Sequence, residues 1–260
     1  MGEPENDSGE GRSRAELDLP GPQAELARRV IEANGNTAII LFNGRPLVLT
    51  ELVSFAPAVL EMWYPGTEAG NAVARLLWGE ANPCGKLSAG LPRSVGQCPN
   101  PYNRMNTGRP KPEPDNRAFP FTSCYLDTPN LPLYSFGFGL SYTTFAYEKL
   151  SLDRTQMTKD GEIRVTVTVR NTGAAAGKET VQLYLRDPVA SVVRPVQQLI
   201  DYRKVFLKPG ERAEAVFTVS EKQLRFFDMN GREMSEPGEF RISTGYADHL
   251  LLTERFELTK

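Results

Sequence analysis

The hexapeptide Thr37-Ala38-Ile39-Ile40-Leu41-Phe42 decides the fold of the first half of this sequence. It is a short apolar run, and the turn sequence Asn43-Gly44-Arg45-Pro46 follows it directly. A continuous apolar run of this length is typical of a strand buried on both faces of a parallel sheet. Because helices cover both faces of such a sheet, the sequence on either side should supply them.

The flanking segments match that expectation. Before the hexapeptide, residues 23–34 carry apolar side chains at helical spacing on one face. After it, residues 58–63 are a second strand candidate, and residues 68–78 are a second helix with Thr67 as the expected N-cap. The order helix, strand, strand, helix indicates part of a doubly wound layer. The strands are few and we expect no room for another before residue 7, so we predict a truncated α/β sandwich with a parallel-type sheet.

Residues 80–147 form a loop-rich bridge, because they contain many Pro, Gly and Asn residues and show no periodic pattern. Aromatic residues in this bridge need a surface to pack on, which argues against a bare linker. They fit anchors against a neighbouring domain, the favoured interpretation, or a surface on which sugars stack. The aromatic residues are Phe119, Phe121, Tyr125, Tyr134, Phe136 and Phe138.

From residue 148 the hydrophobic period changes to two, most clearly in Ile163-Arg164-Val165-Thr166-Val167-Thr168-Val169-Arg170. Short strands at regular spacing, separated by Pro-Gly turns, predict a fibronectin type III-like β-sandwich over residues 148–260. The domains are therefore predicted as 1–147, the partial α/β domain with its bridge, and 148–260. The further strands are expected at residues 181–186, 199–207, 213–219, 238–244 and 253–258.

Composition excludes several classes of protein. The net charge of −2 and the absence of a Lys/Arg run argue against a nucleic-acid partner. No apolar run is long enough for a membrane-spanning helix, so we expect no membrane partner. The N-terminus is acidic and Gly-rich, unlike a signal peptide, and no compartment is assigned.

The residues for metal or thiol chemistry are sparse. Cys84, Cys98 and Cys124 lack metal-ligand spacing, and an odd number fits either one disulfide with one free thiol or three buried thiols. His249 is the only histidine, which gives poor support for a His-dependent triad or a His-based metal site. We predict no cofactor and no metal.

The stretch Asp7-Ser8-Gly9-Glu10-Gly11-Arg12-Ser13-Arg14 places one carboxylate between two glycines. Gly9 and Gly11 disfavour regular structure and indicate a flexible loop. A loop of this kind can present Glu10 to a site that is built elsewhere. The plain alternative is a solvated, frayed terminus with mixed charges.

Five segments, taken in order, resemble the C-terminal half of family 3 glycoside hydrolases, the β-glucosidase and β-xylosidase group. Such enzymes have a (β/α)8 barrel, then an α/β sandwich, then a fibronectin type III-like domain. The resemblance implies that the chain matches the last part of the second domain and all of the third, without the barrel. The five segments are Ser8-Gly9-Glu10-Gly11-Arg12-Ser13-Arg14 with Leu17-Asp18-Leu19-Pro20-Gly21; Leu41-Phe42-Asn43-Gly44-Arg45-Pro46; Trp63-Tyr64-Pro65-Gly66-Thr67-Glu68-Ala69-Gly70-Asn71-Ala72; Leu77-Trp78-Gly79-Glu80-Ala81-Asn82-Pro83-Cys84-Gly85-Lys86-Leu87; and Leu133-Tyr134-Ser135-Phe136-Gly137-Phe138-Gly139-Leu140-Ser141-Tyr142-Thr143-Thr144-Phe145.

The resemblance also implies a reaction, the retaining hydrolysis of terminal non-reducing β-D-glycosyl residues. This reaction needs a nucleophile and an acid/base, two carboxyl groups about 5 Å apart. The family's nucleophile is an aspartate of the barrel, so no residue here takes that role. The family's acid/base is a loop glutamate, which matches Glu10, with Glu3 and Glu5 as competitors. Arg12 or Arg14 either orients this loop through a carboxylate partner or faces solvent.

The implied partners are a β-glucoside or oligosaccharide substrate and the barrel, as a missing domain or a separate polypeptide. We expect the isolated chain to be inactive because the nucleophile is on the barrel. The alternative function is a non-catalytic module that binds carbohydrate or protein.

Overall fold

The computed structural model of the chain describes residues 1–110 and 121–260. The described residues fall into two compact units. Unit 1 contains residues 1–81, 89–100 and 124–135, and unit 2 contains residues 82–88, 136–260 and the described part of 101–123. The predicted division at residue 147 stays a prediction. Phe119 of the predicted aromatic set lies outside the described residues.

Unit 1 confirms the α/β prediction. Its strands pair in parallel, with Ile39 opposite Val59. Parallel neighbours need a crossover connection, and here a helix of six residues supplies it. The sequence analysis missed this helix, which is too short to show a helical period. The elements are α1 Gln23–Ala33, β1 Ala38–Leu41, α2 Thr50–Phe55, β2 Ala58–Glu61 and α3 Ala69–Leu77.

Two local expectations in unit 1 were wrong. Thr67 does not cap α3, because the N-cap is Glu68 and no side chain makes a capping hydrogen bond. The first residues were expected to leave no room for a strand, yet Gly2 pairs with Phe42 in parallel. Phe42 N–H donates to the Met1 carbonyl at 2.8 Å, and Glu3 N–H donates to the Phe42 carbonyl at 2.9 Å. The N-terminal residues therefore extend the sheet beside β1.

Unit 2 is built mainly of strands, which confirms the all-β prediction. A five-stranded sheet has the order β4-β12-β11-β6-β7, and a three-stranded sheet has the order β3-β5-β8. The alternating side chains of β5 supply Ile163, Val165, Val167 and Val169 to the core with no exposed surface. The strands are β3 Phe145–Leu152, β4 Gln156–Met157, β5 Glu162–Asn171, β6 Gly177–Arg186, β7 Gln198–Leu207, β8 Arg212–Ser220, β9 Phe226–Phe227, β10 Glu233–Met234, β11 Gly238–Tyr246 and β12 His249–Leu258.

Strand β3 was missed, since residues 145–147 were assigned to the bridge. Its pairing with β5 shifts register between Tyr147 and Lys149. Such a bulge interrupts the alternation of inward and outward side chains, which is the signal that identifies a strand in a sequence. The sandwich pairing therefore begins at Phe145, before the alternating pattern becomes visible.

Strand β6 is buried on both faces. Gln182 and Tyr184 are 4% and 1% exposed. Gln182 Nε2 donates to the Gly137 carbonyl at 3.0 Å, and Tyr184 donates to Gln182 Oε1 at 2.8 Å. The residues of the predicted bridge around Gly137 therefore cover the outer face of β6.

The aromatic residues near Gly137 pack on other aromatic rings of unit 2. The Phe136 ring stacks on Tyr102 with the centroids 4.2 Å apart, and Phe138 meets Tyr246 edge to face at 5.7 Å. Phe121, by contrast, is largely exposed.

Among the helices of the described ranges, none is both long and apolar enough to cross a bilayer.

Asn171 joins several loops at one end of the sandwich. Its side chain is fully buried. Nδ2 donates to the carbonyls of Ala175 and Leu207 at 2.8 and 3.0 Å. Oδ1 accepts from the Thr143 hydroxyl at 2.7 Å and from Gly173 N–H at 3.0 Å. One amide thus satisfies four polar groups.

We expect Asn171→Ala to lower the free energy of unfolding by about 3 kcal/mol, because buried partners lose their hydrogen bonds. Urea unfolding followed by circular dichroism measures this loss. The matched control is Thr172→Ala, which removes one exposed hydroxyl pair with Thr144 and should change stability by less than about 0.5 kcal/mol. Equal effects of the two substitutions would contradict the assignment.

We expect Gly137→Ala to cost about 2–3 kcal/mol of unfolding free energy. Gly137 has a φ of +82°, and an added Cβ would lie 2.3 Å from Gln182 Oε1. Gly210→Ala is the control, because Gly210 has a φ of +78° and open space around it. It should cost only about 1 kcal/mol, the backbone part. If both variants unfold at the same urea concentration, the close approach at Gly137 has no energetic effect.

Candidate functional site

The predicted loop around Glu10 is an ordered turn in the structure. Arg12 N–H donates to the Gly9 carbonyl at 3.2 Å. Gly11, the third residue of this turn, has a φ of +70°, which is the conformation that a type II turn requires there. Glu10 therefore occupies the second position, at the corner of the turn. The sequence predicted a flexible loop at this point, and the structure shows a hydrogen-bonded turn that lies outside any helix or strand.

Glu10 is exposed at this corner. Within residues 1–110 and 121–260, no group donates a hydrogen bond to its carboxylate or forms an ion pair with it. A carboxyl group in this state is accessible to another molecule. The structure thus presents Glu10 outward on a defined turn, which differs from the frayed terminus of the plain alternative.

The competitor Glu3 lies in a different environment. Its side chain has no exposed surface, and Oε1 accepts from Arg14 Nη1 at 3.0 Å. Arg45 Nε lies 2.8 Å from the same oxygen as an ion-pair contact, and Gly44 N–H donates to Oε2 at 3.1 Å. Since both oxygens are engaged and buried, Glu3 cannot reach a substrate. Glu5 is exposed and remains a competitor.

Of the two arginines in the loop, one has a carboxylate partner and the other faces solvent. Arg14 has a carboxylate partner, Glu3, and its Nη2 also donates to the Asp18 carbonyl at 3.2 Å. Arg12 is exposed, and its guanidinium has no partner among the described residues. Arg45 was not predicted as a functional residue from the sequence, where it stood only as part of a turn. The Asn-Gly-Arg-Pro sequence after a buried strand was the available signal.

The carboxyl ends of the parallel strands bring several polar groups to one edge of the unit 1 sheet. Glu3 directly follows Gly2, which pairs with Phe42. Asn43 lies just after β1, and Glu61 is the last residue of β2. Ligands of α/β sheets usually bind at this edge. Burial raises the pKa of the Glu61 carboxyl, an effect that hydrogen bonds from Trp63 N–H and Asn43 reduce. Glu61 was not singled out from the sequence.

The remaining candidate groups do not gather into a site. The three cysteines all lie in the described ranges, where no disulfide joins them; Cys98 is exposed, and Cys84 and Cys124 are half-buried. His249 stacks on Tyr246 with the ring centroids 4.9 Å apart. Across the described parts of the chain, no three His, Cys, Asp or Glu residues are arranged to hold a metal ion.

Comparison with protein families shows two matches. The glycosyl hydrolase family 3 C-terminal domain matches residues 1–142, and the fibronectin type III-like domain matches residues 179–247. Among curated relatives, the periplasmic β-glucosidase of Salmonella typhimurium is 41% identical over 259 residues, covering 99% of this chain and 34% of that protein. A β-xylosidase of Formosa agariphila is 39% identical over 241 residues, covering 91% of this chain and 32% of that protein.

A solved structure gives the same result. The β-glucosidase from Listeria innocua, crystallised in complex with glucose, matches with a TM-score of 0.94 and 39% identity. The match covers 100% of this chain and 36% of that one. This chain therefore spans about a third of the length of its relatives. With the first match covering more than half of its residues, the chain belongs to glycosyl hydrolase family 3, of which it contains the C-terminal domain followed by the fibronectin type III-like domain.

Proposed function

We propose that this chain is the C-terminal portion of a retaining β-glycosidase and that Glu10 is its general acid/base. The observation that carries the proposal is the outward, unpaired carboxyl group of Glu10 at the corner of an ordered turn. The Glu3 carboxylate of the same segment is buried between two guanidinium groups. Of these two carboxyl groups, Glu10 is therefore the one that can meet a substrate.

The reaction defines what Glu10 does. In the first step its carboxyl proton passes to the glycosidic oxygen while the bond from the anomeric carbon to that oxygen breaks and the nucleophilic carboxylate bonds to the carbon. In the second step the Glu10 carboxylate takes a proton from water as the water oxygen attacks the anomeric carbon and releases the nucleophile. One group acts as acid and then as base, which requires contact with both substrate and water.

The nucleophile is proposed to come from the barrel that the family resemblance implies, as another domain or a separate polypeptide. The proposed substrates are β-glucosides and oligosaccharides with a terminal non-reducing β-D-glycosyl residue. The named activities of the relatives, β-glucosidase and β-xylosidase, support this substrate class. A carboxyl group carried apart from its nucleophile acts only when the two portions come together.

The first expected outcome is that the purified chain does not hydrolyse an aryl β-glucoside above the rate in buffer. A single carboxyl group cannot form the glycosyl-enzyme intermediate. The release of nitrophenol measures this. Turnover by the purified chain that disappears in the Glu10→Gln variant would show that the chain supplies its own nucleophile.

The second expected outcome concerns a fusion in which this chain replaces the matching third of the Salmonella enzyme. Glu10→Gln should lower kcat/KM for cellobiose by about 10²–10⁴, the usual contribution of acid–base catalysis. The loss on 2,4-dinitrophenyl β-glucoside should be far smaller, because that leaving group needs no proton. Azide, a nucleophile that needs no deprotonation, should restore turnover of the activated substrate.

The matched control for this experiment is Glu5→Gln, which changes the other exposed carboxyl group of the segment. It should leave kcat/KM for both substrates unchanged. The same leaving-group dependence in Glu5→Gln would move the role to that residue. A Glu10→Gln fusion with unchanged activity, or a folded parent fusion without activity, would contradict the proposal and favour a binding module.

A further inference from the structure

We infer that Arg45, oriented by the buried Glu3, is the positioning residue that holds the Glu10 turn in place. The inference rests on the proposed role of Glu10. It goes beyond that role because Arg45 belongs to a different segment, the turn after β1. Glu3, Arg14 and Arg45 together form a cluster that we call the guanidinium clamp.

Arg45 bridges the two sides of the turn. Its Nη2 atom donates to the carbonyl of Asp7 and, at 2.9 Å, to the carbonyl of Arg12. These two carbonyls flank residues 8–11, the segment that carries Glu10. A single guanidinium nitrogen therefore joins the beginning and the end of the turn.

Glu3 connects this nitrogen to the sheet. The Glu3 backbone N–H donates to the Phe42 carbonyl at 2.9 Å, so its position follows that of β1. Its Oε1 atom contacts both Arg45 Nε and Arg14 Nη1, at 2.8 and 3.0 Å. Because this carboxylate has no exposed surface, the two guanidinium groups cannot leave it without exposing or isolating a buried charge.

The Ser8 side chain, in the same turn, lies close to Gly44. A Cβ atom added to Gly44 would lie 2.1 Å from Ser8 Oγ and 2.7 Å from Tyr64 Cε2. Only a glycine therefore lets Ser8 lie directly on the turn after β1. The beginning of the Glu10 turn is confined both by the Arg45 guanidinium and by the Gly44 backbone.

Arg45 makes these contacts through two nitrogens of its guanidinium, so a guanidinium fits them better than a point charge does. Arg45 contacts a carboxylate through Nε and two carbonyls through Nη2. A lysine ammonium is a compact point charge and cannot reproduce this fork. Displacing a catalytic group by about 1 Å can lower the rate about 10²-fold, so Arg45→Lys should impair Glu10 while leaving the net charge unchanged.

The first test uses limited trypsin digestion of this chain, because Arg12 and Arg14 are cleavage sites within the held segment. In Arg45→Lys, cleavage after Arg12 should be at least tenfold faster relative to cleavage after Arg75, measured by mass spectrometry. Pro46 prevents cleavage after residue 45 in both proteins. Arg28→Lys is the matched control; Arg28 pairs with Glu51 in the same unit, and the ratio should not change.

Glu3→Gln is the second variant of this test, because it removes the charge that orients Arg45 but keeps the side-chain size. It should raise the same cleavage ratio. Cleavage that rises equally at all sites in both variants would show global unfolding rather than release of the turn, and would overturn the inference. An unchanged ratio would overturn it as well.

The second test uses the fusion with the Salmonella enzyme. Arg45→Lys should lower kcat/KM for cellobiose about 10²-fold and should have a much smaller effect on kcat/KM for 2,4-dinitrophenyl β-glucoside, whose leaving group needs no proton. Arg28→Lys should match the parent on both substrates. A purely structural role would lower kcat/KM equally for both substrates, so an equal loss would contradict the positioning role.

The two proposals fail in different ways. If Glu10→Gln shows the leaving-group dependence and Arg45→Lys does not, the clamp inference is wrong and the proposed function stands. If Glu10→Gln has no effect, the proposed function is wrong. A faster cleavage after Arg12 in Arg45→Lys would then show that the clamp holds the turn without serving catalysis, which also overturns the positioning role.

Discussion

Glu3 places a carboxylate where water does not reach it, and a buried charge is stable only when other groups balance it. Arg14 and Arg45 provide that balance from two separate segments, and Gly44 N–H adds a hydrogen bond. The order of this edge of the unit 1 sheet depends on this one requirement. The turn that carries Glu10, the turn after β1 and the N-terminal residues beside β1 all meet at Glu3.

Unit 2 contains an interior strand, β6, that is buried on both faces. The outer face of β6 carries the buried polar side chain of Gln182, which needs hydrogen-bond partners because water is excluded. The Gly137 carbonyl and the Tyr184 hydroxyl are those partners. Because the backbone must approach so closely, the covering segment contains a glycine at this point. The aromatic rings of Phe136 and Phe138 then complete the cover.

Elements with a long regular pattern could be predicted from the sequence. The apolar run before Asn43 and the alternation of residues 163–170 identified the parallel pair and the sandwich correctly. The helix α2 and the strand β3 could not be found this way, since α2 is a single short helix and β3 contains a bulge. The burial of β6 on both faces could not be predicted from the sequence pattern either, because the residues that cover its outer face lie more than forty positions earlier in the chain. For the candidate site, Glu10 was identified through its sequence context, whereas Arg45 became visible only once its contacts with Asp7 and Arg12 were known.

The Arg45 contacts with the Glu10 turn have a consequence for substitutions in this segment. Both acceptors are main-chain carbonyls, so these hydrogen bonds do not depend on the side chains of Asp7 and Arg12. Those two side chains can therefore be exchanged without removing the contacts that Arg45 makes with the turn. The same property makes the turn a suitable place for library mutagenesis, provided that Glu3, Gly44 and Arg45 are retained.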